Sequence, residues 1–234
     1  MSQHISKQFD NELDNIRSHV LAMGGLVEQQ LGDALNALTN SDIDCGLAVI
    51  ENEPKVNTFE VSIDEECTKI LARRQPAAVD LRLITAVIKT ITDLERIGDE
   101  AEKVAQMANY LTEKQSAKSY YTGISTMGQF VREMVRDALD AFARMDSEAA
   151  MKTAGREPES DDQYAAILRQ LVTYMMEDPR SITSVIDAVW MVRSLERIGD
   201  HARNICEYVI YLVEGKNVRH LTIEEMQEII YEES

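Results

Sequence analysis

The chain has 234 residues, 28% of them charged, and a formal net charge of -17. A surface this acidic argues against binding to nucleic acid or anionic lipid through bulk electrostatics, and it suits a protein that collects cations or docks on a basic partner. The start of the chain has no signal-peptide pattern, no apolar run reaches the roughly 20 residues that span a bilayer, and three cysteines without a C-x-x-C pair favour a reducing cytoplasm.

The first part of the chain is predicted to form two long helices. Apolar residues at nearly heptad spacing predict the first over residues 6–38, and Gln30 alone breaks that pattern. Gly24-Gly25 falls within it and indicates tight packing against a neighbour. A second helix is predicted over residues 42–74, and Pro54 should kink or divide it because proline removes a backbone hydrogen bond.

A third helix is predicted from Gln75-Pro76, with proline at the tolerated first position, to Leu111. A polar stretch at 113–118 then marks a join between two units. The heptad pattern resumes over residues 120–145 and predicts a fourth helix.

The last part of the chain should hold two further helices and a tail. A polar break at 155–160 precedes a short fifth helix, and Asp178-Pro179 starts a sixth that includes Trp190 and runs to Val213. Trp190 lies on a mostly apolar helix, so its side chain is predicted to be packed. The tail holds a capping box, Thr222 to Glu225, ahead of a short acidic helix.

The sequence LERIGD occurs twice, at residues 94–99 and 195–200, with the copies 101 residues apart. Self-similarity of this kind indicates two similar structural units. We therefore predict an all-α tandem repeat with a first unit over 1–114, a second over 115–215 and an acidic tail over 216–234.

Each copy is locally unfavourable as a helix. Its two acids lie one turn apart, where like charges cost about 0.2–0.5 kcal/mol, and its glycine costs about 1 kcal/mol relative to alanine. A cation between the carboxylates would compensate, with glycine leaving room for close approach. The candidate ligands are Glu60, Asp64, Glu95, Asp99 and Glu102 in the first unit, and Asp161, Glu196 and Asp200 in the second.

The second cluster is expected to be the less complete one. Asp161 stands roughly where Glu60 stands in the first unit, but Ala165 occupies the place of Asp64. His201 and Glu207 are weaker candidates for additional ligands. Carboxylates without histidine or thiolate favour hard cations or iron over structural zinc.

Other interpretations of the acidic residues remain open. Any single pair of acids in so acidic a protein is more often a solvated helix face than a ligand set. A ferritin-like di-iron bundle needs Glu-x-x-His, and none of the four histidines follows a glutamate by three residues. A carboxylate-bridged metal hydrolase stays possible, although no nucleophile motif or glycine-rich phosphate loop is present.

A family resemblance rests on segments from both halves of the chain. These segments are residues 23–28, 63–67, 73–76, 80–82 and 93–101 in the first half, and residues 174–179 and 195–202 in the second. They resemble the PhoU family of accessory and regulatory proteins of phosphate-specific transport, over nearly the whole chain.

The resemblance implies two three-helix bundles related by pseudo-two-fold symmetry, assembled as a cytoplasmic homodimer or other small oligomer. It implies a divalent or trivalent metal ion (iron, zinc, magnesium or manganese) at the paired motifs, carried over onto Glu60, Asp64, Glu95, Asp99, Glu196 and Asp200.

The resemblance also implies a regulator without catalytic turnover. In high phosphate such a protein would restrain the phosphate ABC transporter, through its ATPase, and the phosphate-sensing histidine kinase. It would reach the membrane only through these partners. The alternative function is a metal-dependent phosphate-handling enzyme that uses the carboxylate clusters.

Overall fold

The computed structural model describes residues 2–114 and 121–231, which form α-helices and no strand. This confirms the predicted all-α class. A 3-10 turn at Pro179–Ser181 leads into the seventh helix. The helices are α1 (Ser2–Asn40), α2 (Ile43–Arg73), α3 (Ala78–Glu113), α4 (Tyr121–Arg144), α5 (Ser147–Ala154), α6 (Glu157–Glu177), α7 (Ile182–Glu214) and α8 (Ile223–Tyr231).

Helix α2 is unbroken through Pro54, so the chain is not divided there as the proline suggested. The proline ring lies on the exposed side of α2, while Val56 and Ile63 on the opposite side are buried against α1 and α3. This packing holds α2 together across the lost backbone hydrogen bond. Pro76 was also misplaced, because α3 begins at Ala78 rather than at the proline.

Over α1 and α2, each residue of the first unit corresponds to the residue 104 positions later in the second unit. Asp42 caps α2 by accepting a hydrogen bond from Cys45 N, and Asp146 caps α5 in the same way by accepting from Ala149 N. Helices α5 and α6 together therefore correspond to α2. Their chain break falls at 155–156, shorter than predicted, and Pro158, the counterpart of Pro54, lies in the first turn of α6, where proline is tolerated.

The pseudo-two-fold relation between the units is visible in reciprocal glycine contacts between α1 and α4. A Cβ on Gly24 would collide with Leu139, and one on Gly128 with Leu35. Each glycine thus lets the opposite helix approach closely. Gly25 has nothing within 4 Å of its Cβ position, so the predicted tight packing holds for Gly24 alone.

Helices α3 and α7 form the second seam between the units and run antiparallel. His201 Nδ1 lies 2.6 Å from Asp93 Oδ1, and Arg197 Nη1 lies 2.8 Å from Glu100 Oε1. Apolar side chains from both units form one continuous hydrophobic core.

The end of the chain matches its prediction closely. Gly215 ends α7 in the left-handed conformation at φ 75. Thr222 N donates to Glu225 Oε2 at 2.7 Å, and Glu225 N donates to Thr222 Oγ1 at 3.3 Å, which completes the capping box before α8.

Two other predictions are not confirmed. Trp190 is 61% exposed, so the prediction that it is packed is wrong: it lies at the rim of a cavity between α7 and α3. Most of the polar join at 113–118, and Tyr120, lie outside the described residues. Over the ranges that the structure describes, none of the helices is apolar for long enough to cross a bilayer.

Candidate metal centres

The contacts of the glycines in the two LERIGD copies show how each motif helix is aligned with the helix beside it. The Cβ position of Gly98 lies 3.3 Å from Val56 on α2, and that of Gly199 lies 3.0 Å from Ser160 on α6. Val56 and Ser160 are therefore equivalent, 104 residues apart, whereas the two glycines are 101 apart.

This difference in offset corrects the pairing predicted from the sequence. Asp161 corresponds to Asn57, not to Glu60, and the counterpart of Asp64 is Leu168, not Ala165. The first unit has three more residues between its second helix and the motif glycine, so a single offset cannot describe both helices. Each centre thus combines two Glu-x-x-x-Asp/Asn pairs on neighbouring helices.

The second centre is compact. Glu157, Asp161 and Asp200 each place a carboxylate oxygen within 4.8 Å of the others. Burial, and then the charges of Glu157 and Asp161, raise the pKa of the Asp200 carboxyl. Burial, and then the charge of Asp200, raise the pKa of Glu196. Glu196 Oε2 is buried without a hydrogen-bond partner.

Two arginines contact the acids of the second centre. Arg203 Nη1 lies 2.8 Å from Glu157 Oε2, and Arg193 Nη1 lies 2.7 Å from Glu196 Oε1. Arg203 also contacts Glu207 on its own helix, at 3.3 Å. Part of the negative charge is therefore balanced by the protein itself.

The first centre is more open. Burial, and then the charges of Asp99 and Glu102, raise the pKa of Glu53, and burial, Asp99 and Glu60 raise that of Glu95. Glu53 Oε1 and Asn57 Oδ1 are buried without partners. Among the described residues, no three acidic side chains of this unit meet as closely as those of the second centre.

The donor chemistry of both centres fits a hard cation. The available atoms are carboxylate and amide oxygens, which Mg²⁺, Mn²⁺ and iron ions accept, and several are buried with no protein donor to satisfy them. A cation placed between the two Glu-x-x-x-Asp/Asn pairs of a centre would both offset the carboxylate repulsion and satisfy these oxygens.

Comparison with known proteins decides the family. The PhoU domain matches this chain twice, over residues 20–108 and 124–209. The chain belongs to the PhoU family. The two matches cover the two structural units and contain both centres.

PhoU relatives match along almost their whole length. The phosphate-specific transport system accessory protein PhoU homolog of Pseudomonas aeruginosa is 53% identical over 228 residues, which is 97% of this chain and 94% of the relative. The phosphate-specific transport system accessory protein PhoU of Escherichia coli (strain K12) is 46% identical over 232 residues, covering 98% of this chain and 95% of the relative.

Solved PhoU structures share the fold. The crystal structure of PhoU from Pseudomonas aeruginosa superposes with a TM-score of 0.87 at 54% identity, covering 89% of this chain and 100% of that one. The phosphate transport system regulatory protein PhoU from Streptococcus pneumoniae gives 0.82 at 30% identity, covering 90% of this chain and 99% of that one. The tandem repeat of helical bundles is thus a PhoU fold.

Most of the predicted PhoU site residues lie together, but not all. Glu60, Glu95, Asp99 and Glu102 interact with one another or with Glu53 in the first unit, and Asp161, Glu196 and Asp200 do so in the second. Asp64 lies one turn further along α2, is exposed, and acts electrostatically on Cys67. Of the two weaker candidates, His201 contacts Asp93 on α3, and Glu207 forms an ion pair with Arg203.

The sequence interpretation missed Glu53, Asn57 and Glu157. Their signal was present, because Glu53-x-x-x-Asn57 and Glu157-x-x-x-Asp161 repeat the spacing of Glu95-x-x-x-Asp99. Both pairs lie beside a proline, at Pro54 and Pro158, where the helix had been expected to break.

Proposed function

We propose that this chain is a non-catalytic regulator of phosphate uptake and phosphate-starvation signalling. When phosphate is plentiful it restrains the phosphate ABC transporter, through the transporter's ATPase, and the phosphate-sensing histidine kinase. The observation that carries the proposal is the near full-length match, across both units, to relatives named as accessory proteins of the phosphate-specific transport system.

The acidic centres serve this regulator as cation sites. The oxygen donor set favours magnesium, manganese or iron over zinc. Because each centre joins two helices of one bundle, a bound cation would tie those helices together. Cation binding therefore affects the relative position of helices whose surfaces contact the partners.

The proposed setting is the cytoplasm, where the chain acts as a homodimer and reaches the membrane only through its partners. The net charge of -17 supports docking on basic partner surfaces over contact with anionic lipid. The two buried thiols, Cys67 and Cys206, and the half-buried Cys45 form no disulfide, which suits a reducing compartment.

Deletion of the gene tests the regulatory function. We expect a phosphate-starvation reporter to switch on in high-phosphate medium and to return to its low level when the wild-type gene is supplied. Complementation with Asp140→Ala, an exposed change on α4 away from both centres, is the matched control and should restore repression. Unchanged reporter expression in the deletion strain would contradict the proposal.

The alternative function is a metal-dependent phosphate-handling enzyme. The observation that favours it is Glu196 Oε2, which is buried, unpartnered and electrostatically coupled to Asp161 and Asp200, as a general base beside a metal would be. Metal-loaded protein is assayed on phosphoesters. Turnover that disappears in Asp99→Ala and Asp200→Ala would replace the regulator with this enzyme.

A further inference from the structure

The two centres differ in how their negative charge is balanced. In the second, Arg203 and Arg193 form ion pairs with Glu157 and Glu196 at 2.8 and 2.7 Å. Both glutamates are largely buried, whereas the Arg193 side chain is 48% exposed and the Arg203 side chain 28%, so water screens the Arg203 contact less than the Arg193 contact.

The first centre has no such arginines. The residue equivalent to Arg203 is Glu102, and the residue equivalent to Arg193 is Thr92. The neighbouring Lys103 is turned to Glu100, on the far side of α3, at 3.0 Å. Within 7–114 and 121–231, where side chains are described, no lysine, arginine or histidine forms an ion pair with Glu53, Glu60, Glu95, Asp99 or Glu102.

The second centre, which has the arginine contacts, is also the more compact of the two. With arginines present, the oxygens of Glu157, Asp161 and Asp200 approach one another to within 4.8 Å. Without them, the first-unit acids stay further apart. A positive charge beside acidic side chains offsets their mutual repulsion and favours their close approach.

A buried polar side chain without a hydrogen-bond partner lies beside the motif glycine of each unit. Gln30 is 3% exposed, neither of its amide atoms has a partner, and its Oε1 lies 3.7 Å from the Cβ position of Gly98. Ser160 is 1% exposed, its Oγ has no partner, and it faces Gly199 at 3.0 Å. Buried polar groups without partners are rare in folded proteins and need a water or an ion nearby.

We propose that Arg193 and Arg203 are built-in counterions of the second centre, and that the first centre, which lacks them, depends on a bound cation for the same charge balance. Most of the cation-linked stability of the chain then comes from the first unit. This inference rests on the cation sites of the proposed function, and it adds that the two sites are not equivalent.

Thermal unfolding of the full chain, stripped with a chelator and titrated with MnCl₂ at constant ionic strength, tests the inference. The wild-type midpoint should rise with Mn²⁺ by at least about 2–4 °C. Glu102→Arg copies Arg203 into the first unit, so it should raise the metal-free midpoint and at least halve the rise. Glu102→Gln removes the charge without reversing it, so it should raise the metal-free midpoint and reduce the Mn²⁺-dependent rise by smaller amounts.

Reciprocal changes in the second unit complete the test. Arg203→Glu and Arg193→Thr copy the first unit, so both should lower the metal-free midpoint and enlarge the Mn²⁺-dependent rise. Glu113→Arg on α3 and Arg169→Glu on α6 make the same charge changes at exposed positions outside the centres, and should leave the rise as in wild type. Electron paramagnetic resonance of Mn²⁺ counts the bound ions in each variant without reference to stability.

The outcomes separate this inference from the proposed function. The inference is overturned if Glu102→Arg leaves the rise unchanged, if Arg203→Glu and Arg193→Thr both fail to enlarge it, or if Mn²⁺ shifts the wild-type midpoint not at all. None of these results alters the reporter outcome in the deletion strain, which decides the regulatory function by itself.

Discussion

His201 and Asp93 join the two PhoU units through a contact of 2.6 Å between Nδ1 and Oδ1, and Asn204 donates to the same oxygen at 3.0 Å. Asp93 directly precedes the first LERIGD copy, and His201 directly follows the second. The residues that border the duplicated motif thus hold the seam between α3 and α7.

Asp93→Ala is expected to lower the free energy of unfolding by about 3 kcal/mol, because it leaves the half-buried donors of His201 and Asn204 without their acceptor. Asp93→Asn keeps an acceptor oxygen and should cost less. Urea denaturation followed by circular dichroism measures both, with the exposed Asp140→Ala as control. A loss for Asp93→Ala no larger than that of the control would mean that the seam does not depend on this carboxylate.

Alanine substitutions at the two adjacent glycines of α1 should change the stability of the chain in opposite directions. Gly25→Ala meets nothing within 4 Å and should stabilise the chain by about 0.5–1 kcal/mol through helix propensity. Gly24→Ala forces a methyl group against Leu139 on α4 and should instead destabilise it by about 1–3 kcal/mol. The two variants are each other's control in the same urea experiment. Equal effects would show that α1 and α4 are not in close contact at Gly24.

Burial raises the pKa of the Cys67 thiol to about 12, from an unfolded value near 9. The folded chain therefore keeps this proton where the unfolded chain loses it, so stability falls as the pH rises from about 9 towards 12. Cys67→Ala removes that proton linkage and should flatten the alkaline part of the curve, even though it lowers stability at neutral pH. The free energy of unfolding is measured against pH for both chains. Identical alkaline slopes would contradict the burial of Cys67.

Trp190 is the single tryptophan of the chain, so its fluorescence reports one position. With 61% of its surface exposed, we expect acrylamide and iodide to quench the folded protein nearly as well as the urea-unfolded chain. Trp190→Phe should change stability by less than about 0.5 kcal/mol, as exposed substitutions do. Strong protection from iodide in the folded state would show that this face of α7 is covered.

Much of the PhoU fold could be predicted from local patterns. Heptad spacing located the long helices, and the capping box at Thr222 marked the start of α8. The prediction of a helix division failed at Pro54, where α2 packs against two other helices, and the prediction of a packed side chain failed at Trp190, where one face of an apolar helix is exposed to solvent.

The site was harder to predict than the fold because it depends on the register between helices. The LERIGD copies give one offset, but α2 and α6 follow another, three residues larger. With the LERIGD offset, Asp161 looked like the counterpart of Glu60, and Ala165 like that of Asp64. The contacts of Gly98 with Val56, and of Gly199 with Ser160, instead bring Glu53 and Glu157 to the centres.

Binding of Mn²⁺ to the chelator-stripped full chain, measured by equilibrium dialysis, tests the central claim that paired carboxylates from neighbouring helices hold cations. We predict that Glu53→Gln combined with Asp99→Asn abolishes uptake by the first unit, that Glu157→Gln combined with Asp200→Asn does so in the second, and that the exposed Asp64→Asn changes nothing. Undiminished Mn²⁺ uptake when all four residues are changed together would contradict the account.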